Sequence, residues 1–129
     1  MTIKEMMLSI YQNAKNHGWW DEPRSFGDII ALIHSEASEA LEEHRNGHLP
    51  NETYVNCKLK EIRAKGGGGC GVCKFCQANK PEGIPAELAD IVIHVMDYCE
   101  HEGIDLEKAI LEKHEYNKTH SFGHEIEKI

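Results

Sequence analysis

Residues 85–103 read Pro85-Ala-Glu87-Leu88-Ala-Asp90-Ile91-Val92-Ile-His94-Val95-Met96-Asp97-Tyr-Cys99-Glu-His101-Glu-Gly103. Leu88, Ile91, Val92, Val95, Met96 and Cys99 recur at steps of three and four, the period of a helix with one apolar stripe. Pro85 suits the first turn of that helix and Gly103 its end. Glu87 lies about 40° from Ile91 on the helical wheel, and Asp90 stands at the edge of the stripe. His94, Asp97 and His101 prolong the polar row. Cys99 falls among the apolar positions and reads as core.

Working outward, the same text recurs upstream. From Ser25 to about Asn46-Gly47 the apolar positions are Phe26, Ile29, Ile30, Ile33, Ala37, Ala40 and Leu41. Ser25 with Asp28 three residues on resembles a helix start. Glu36 falls about 20° from Ile29 and so on the core side, with Glu39 close to the stripe through Leu32. Glu43 continues the row from Glu36, whereas Glu42 points to solvent. An earlier helix is predicted over residues 3–16, with Ile3, Met6, Met7, Ile10, Tyr11 and Ala14 apolar, ending at Asn16-His17-Gly18. A fourth, capped by Asp105, carries Leu106, Ala109, Ile110 and Lys113 and reaches about Thr119. No segment shows strand alternation. The expected fold is all-α: a helical bundle of about four main helices in one domain over residues 1–129. A Gly/Cys-rich insertion is expected at about 50–83, with a further short helix weighed around Tyr54–Arg63.

A chain of 129 residues supports one core but leaves little depth for a pocket, so a site completed by oligomerisation is expected. Fourteen basic against 22 acidic residues give a net charge of −8, which argues against nucleic acid as a partner. No apolar run approaches the roughly 20 residues of a membrane span. Met1-Thr-Ile-Lys-Glu has no basic region followed by an apolar one, so no signal peptide is expected and a cytoplasmic location is the default.

The chemistry is carried by two acidic pairs of the same shape, Glu36-x-x-Glu39 and Glu87-x-x-Asp90. Residues three apart share a helix face, so each pair aims two carboxylates in one direction. One such pair has little specificity, because helices are rich in Glu. Two matched pairs facing core-ward on separate helices gather four carboxylates that must be protonated or neutralised. Oxygen-only ligands suit Mg²⁺ or Mn²⁺, and such a cation binds and neutralises phosphate groups. A spare carboxylate, Glu39 or Glu43, would orient water or accept its proton. Lys113 and Asn117 end an apolar row on the last helix, where they would meet phosphate or simply cap the row. Trp19 and Trp20 would stack on a base or cover a core.

On these residues the chain resembles the MazG-like all-α nucleoside triphosphate pyrophosphohydrolases. The segments that carry the resemblance are His34-Ser-Glu36-Ala-Ser-Glu39-Ala-Leu-Glu-Glu43, Pro85-Ala-Glu87-Leu-Ala-Asp90-Ile-Val, and Gly103-Ile-Asp-Leu-Glu-Lys-Ala through Lys113-His-Glu-Tyr-Asn117-Lys. The resemblance implies Mg²⁺ on Glu36, Glu39, Glu87 and Asp90. It implies cleavage of a nucleoside triphosphate to monophosphate and pyrophosphate in nucleotide-pool clean-up, by a homodimer or homotetramer. It places Lys113 and Asn117 against phosphate or sugar and Trp20 near the base. Two departures stand out: the lengthened gap between the acidic pairs, and His120-Ser121 where relatives often carry Arg-Pro. A phosphoribosyl-nucleotide pyrophosphohydrolase and a non-catalytic metal-binding interaction protein are the alternative readings.

Cys70-Gly-Val-Cys73-Lys-Phe-Cys76 is a CxxCxxC run, spaced to chelate one soft metal with Cys57 as a fourth ligand for structural Zn²⁺. Free thiols, an iron–sulfur centre or a redox switch are the alternatives, the iron–sulfur motif lacking its expected fourth Cys-Pro. Gly66 and Gly71 have the separation of a phosphate-binding loop, but Val72-Cys73 replace the Lys-Ser/Thr it needs.

Overall fold

The computed structural model describes residues 1–55 and 80–120. The four cysteines of the proposed zinc set, the glycine run and the tail from Ser121 lie outside the described residues, as does the expected short helix beyond Val55. Among the described residues are four helices, α1 (Ile3–Asn16), α2 (Phe26–Arg45), α3 (Ile84–Glu102) and α4 (Leu106–Thr119), and one ribbon of two-residue strands, β1 (Tyr54–Val55) and β2 (Pro81–Glu82). The fold is all-α, as the periodicity predicts. Tyr54 belongs to a strand rather than the start of a helix, because it pairs antiparallel with Glu82, and Val55 with Pro81. That pairing is long-range, and local helical spacing carries no trace of it.

The helix ends have local causes. Thr2 caps α1 in a reciprocal box: the Glu5 N–H donates to Thr2 Oγ1 at 3.1 Å, and the Thr2 N–H donates to Glu5 Oε2 at 3.2 Å. Asp105 caps α4 by accepting from the Lys108 N–H at 3.1 Å. Three helices close in the same way, with a glycine just beyond the last turn and the following N–H reaching five residues back. These bonds are Trp19 to Ala14 (3.0 Å), His48 to Glu43 (3.2 Å) and Ile104 to Cys99 (2.8 Å). The closure needs a left-handed residue, and Gly103 has φ of 73°.

The chain divides into two compact units, Met1–Ser25 with Ile93–Ile129, and Phe26–Val92; α3 contributes its second half to the former and its first half to the latter. The first unit has the hydrocarbon core. Met7, Met96 and Cys99 are buried there, with Ile3, Ile10, Val95 and Leu106 packed around them. Cys99 is core, as its place in the stripe predicts, and Met7 rather than Met6 is the inward methionine of α1. In the second unit Ile29 is buried on α2. The apolar stripe of α3 differs along its length: Val95, Met96 and Cys99 are covered, but Leu88 is 51 % and Val92 49 % exposed. Periodicity marks which residues share a face and leaves open what covers it.

Candidate carboxylate metal centre

The second unit gathers acids from three elements. On α2, Glu36, Glu39 and Glu43 follow at steps of three and four along one face. On the opening turns of α3 stand Glu87 and Asp90, and β2 ends in Glu82. Gly83 joins β2 to α3 at a point so close to β1 that a Cβ there would collide with the Glu52 carbonyl oxygen. Its own carbonyl accepts the Glu87 N–H at 3.1 Å, which fixes the start of the helix.

Of the four residues predicted as metal ligands, Glu36, Glu39 and Glu87 converge, each offering one carboxylate oxygen within 4.8 Å of the others. Asp90 is half-buried, and its charge acts on Glu36. A second triad, Glu43, Glu82 and Glu87, meets the same distance. Glu43, Glu82, Glu87, Glu39 and Lys80 line a cavity of about 310 Å³. Glu42 is exposed, as expected, and pairs with Arg45 at 3.6 Å, but it too lines that cavity.

Glu87 is the deepest of these acids, 7 % exposed, and its Oε2 is buried without a hydrogen-bond partner. Burial raises its pKa to about 8, helped by proton sharing with Glu39 and Glu36 and by their charges. Burial also raises Glu36; the charges of Glu39 and Asp90 add to this, and a hydrogen bond with Glu87 opposes it. These acids are close enough that a proton or a cation must stand between them.

Glu43 is held differently. The Tyr54 phenol donates to both of its oxygens at 2.9 Å. Burial and that anionic partner push the phenol up to about 12. His48 stacks on the Tyr54 ring at 4.5 Å and sits 3.5 Å from Glu43 and 2.8 Å from Glu52. The ribbon thereby sets two acids at once, since Tyr54 grips Glu43 and pairs in register with Glu82. Lys80 reaches Glu82 at 3.4 Å. Sequence reasoning passed over Glu82, Tyr54 and Lys80, whose placement depends on strand pairing rather than on helical spacing.

The predicted substrate-binding residues, Trp20, Lys113 and Asn117, belong to the first unit. Trp20 donates its indole N–H to Asp97 Oδ1 at 3.0 Å, stacks on His101 at 3.7 Å and meets Tyr11 edge-on. Asp97 is buried, and burial raises its pKa against the opposing effects of the Trp20 bond and of His94, His101 and Arg24. Trp19 lies under the Arg24 guanidinium, 3.5 Å from its ring, beside a cavity of about 590 Å³ that Ile10, Asn13, His94 and Asp97 also line. Lys113 lies over the Tyr116 ring at 4.8 Å, and Asn117 is half-buried. His120 stacks on Tyr116 at 3.9 Å. No helix among the described residues is long and apolar enough to cross a membrane.

Comparison of the chain with protein-family models, with curated proteins and with solved structures gave no match.

Proposed function

We propose that this chain is a Mg²⁺-dependent nucleotide pyrophosphohydrolase of the MazG-like kind, cleaving nucleoside triphosphates to monophosphate and pyrophosphate. The observation that carries the proposal is Glu87. It is a carboxylate 7 % exposed, with one oxygen buried and unpartnered, facing Glu36 and Glu39 across less than 4.8 Å. An unsatisfied buried acceptor costs roughly 1–3 kcal/mol, more when charged. A hard divalent cation answers all three groups together, and the donor set is oxygen only.

Bound there, Mg²⁺ or Mn²⁺ would supply charge neutralisation at the phosphoryl oxygens. Glu36, Glu39 and Glu87 are the residues that would hold it, with Asp90 beside Glu36. Glu43 already accepts the Tyr54 phenol at both oxygens, which leaves the exposed Glu39 better placed to orient water or accept its proton. A homodimer or homotetramer goes with this reading, since Leu88 and Val92 leave an apolar strip of the second unit in water. A cytoplasmic role in clearing nucleotides from the pool belongs to the same proposal.

The test is a panel of ribo- and deoxynucleoside triphosphates with Mg²⁺, the products resolved by chromatography. Monophosphate plus pyrophosphate, lost on chelation, supports the reading and ranks the substrates. Turnover confined to phosphoribosyl nucleotides would move the substrate class. No turnover of either would leave a metal-binding protein without catalysis.

A further inference from the structure

We infer that Lys80 is a substrate-binding residue: its ammonium, tethered by β2 at the rim of the acidic cavity, takes phosphate oxygens at the pyrophosphate end of the substrate. This rests on the reading of the carboxylate centre as a site for a cation-bound nucleoside triphosphate. It adds a residue that neither acidic pair nor the last helix supplies.

The cavity is short of positive charge. Glu39, Glu42, Glu43, Glu82 and Glu87 line it, and Lys80 is the one cation among the described lining residues. A triphosphate is itself a polyanion, and Mg²⁺ bound by carboxylates meets only part of that charge. Like charges brought face to face disfavour binding, so the phosphates need a further positive group beside the centre. In the second unit the described Lys and Arg residues are Arg45 and Lys80. Arg45 is exposed on α2, pairs with Glu42 at 3.6 Å and is not among the residues that line the cavity. Lys113, the phosphate contact that the resemblance implies, belongs to the first unit and lies over the Tyr116 ring.

The ribbon holds Lys80 at this place. Val55 pairs with Pro81 and Tyr54 with Glu82, so the residue before β2 leaves the ribbon at a fixed point. Tyr54 also donates to both oxygens of Glu43, which ties the ribbon to α2 beside the cavity. The ammonium lies 3.4 Å from Glu82 Oε1 on a side chain that is 63 % exposed, whereas that of Glu82 is 19 % exposed. The acid is fixed and the ammonium is loose. An ion pair this exposed contributes little to stability, so exchanging the carboxylate for a phosphate costs little. Lysine suits that exchange, being a point charge on a flexible stem and a common partner of phosphate. Glu82 is then the counter-ion that keeps Lys80 beside the centre.

The experiment measures, on the full chain, calorimetric binding of inorganic pyrophosphate in the presence of Mn²⁺, with KM and kcat for the best triphosphate. Lys80→Met should weaken pyrophosphate and raise KM roughly ten- to hundredfold, the scale of a charge-assisted hydrogen bond, with kcat changed less. Mn²⁺ affinity without pyrophosphate should hold or tighten, because a cation beside the acids has been removed. Damage to the fold would instead weaken both. Lys80→Arg should recover most of the lost affinity, and Glu82→Gln should tighten pyrophosphate roughly two- to fivefold by releasing the ammonium. Unchanged pyrophosphate affinity in Lys80→Met, with Mn²⁺ still bound, would overturn the role of Lys80 and leave the metal centre standing. Parallel loss of Mn²⁺ and pyrophosphate in that variant would overturn it too. A parent chain that binds no Mn²⁺ would remove the reading on which it rests.

Discussion

The helix α3 carries a buried acid in each unit, Asp97 in the first and Glu87 in the second, and their surroundings are opposite. Asp97 is met by the Trp20 indole N–H and has His94, His101 and Arg24 around it. Glu87 is met by Glu36 and Glu39, and one of its oxygens has no donor. Around Asp97 the fold supplies its own positive and donor groups. Around Glu87 the described residues supply more acids, which a shared proton or a cation has to reconcile. Burial of a carboxylate is common to both, and the sign of the neighbours is what separates them.

The comparison breaks most sharply in the second unit. Glu36→Gln is expected to cut pyrophosphohydrolase turnover by roughly 10³-fold or more, the several kcal/mol a metal contributes to phosphoryl charge. Asp90→Asn should do the same, and in both variants helicity should be retained. Retained turnover in both would remove the assignment. In the first unit the corresponding test concerns stability. Met7→Ala should cost about 2–5 kcal/mol in denaturant unfolding, because Met7 is buried with Met96 and Cys99. Its Mn²⁺ stoichiometry in the folded state should be unaltered.

A smaller effect sharpens the account of how Glu43 is held. Tyr54→Phe should cost about 1.5 kcal/mol, the scale of a hydrogen bond to a charged group. It should also remove a phenol that ionises near pH 12 from a spectrophotometric titration of the chain. The smallest effect belongs to Asp97. Burial lifts its folded-state pKa above the unfolded value of 3.8, so the folded chain holds the proton longer than the unfolded one. Stability from this group is therefore full below pH 3.8 and falls as pH rises through the folded value, then stays level. Asp97→Asn keeps an acceptor for Trp20 and lacks that fall. Its Tm should gain on the parent across the window and hold the gain above it. Parallel Tm curves would show that Asp97 is not penalised by burial.

What was legible in the sequence is what repeats locally. The four helices follow from apolar steps of three and four and from the stops at Gly18, Gly47 and Gly103. Glu36, Glu39 and Glu87 were legible because a shared helix face needs only spacing. Thr2-x-x-Glu5 was an equally local signal of a capped start, and the periodicity reading passed over it. Other placements depend on distant partners. Trp20 is defined by Asp97, 77 residues on. Tyr54 and Glu82 are defined by each other, and each taken alone looks like helix or loop. The exposure of Leu88 and Val92 also lies beyond periodicity, which cannot say whether a neighbour covers a face.

The ribbon has a consequence for how this chain can change. Two residues pair on each side, Tyr54 with Glu82 and Val55 with Pro81. Side chains alternate along a strand, so slipping the pairing by one residue would turn Glu82 to the opposite face, and slipping by two would restore the face but move it along the ribbon. The parity of the register, rather than the number of residues between the strands, keeps Glu82 beside Glu43. A segment of another length between the strands would leave the acids in place only where it kept that register.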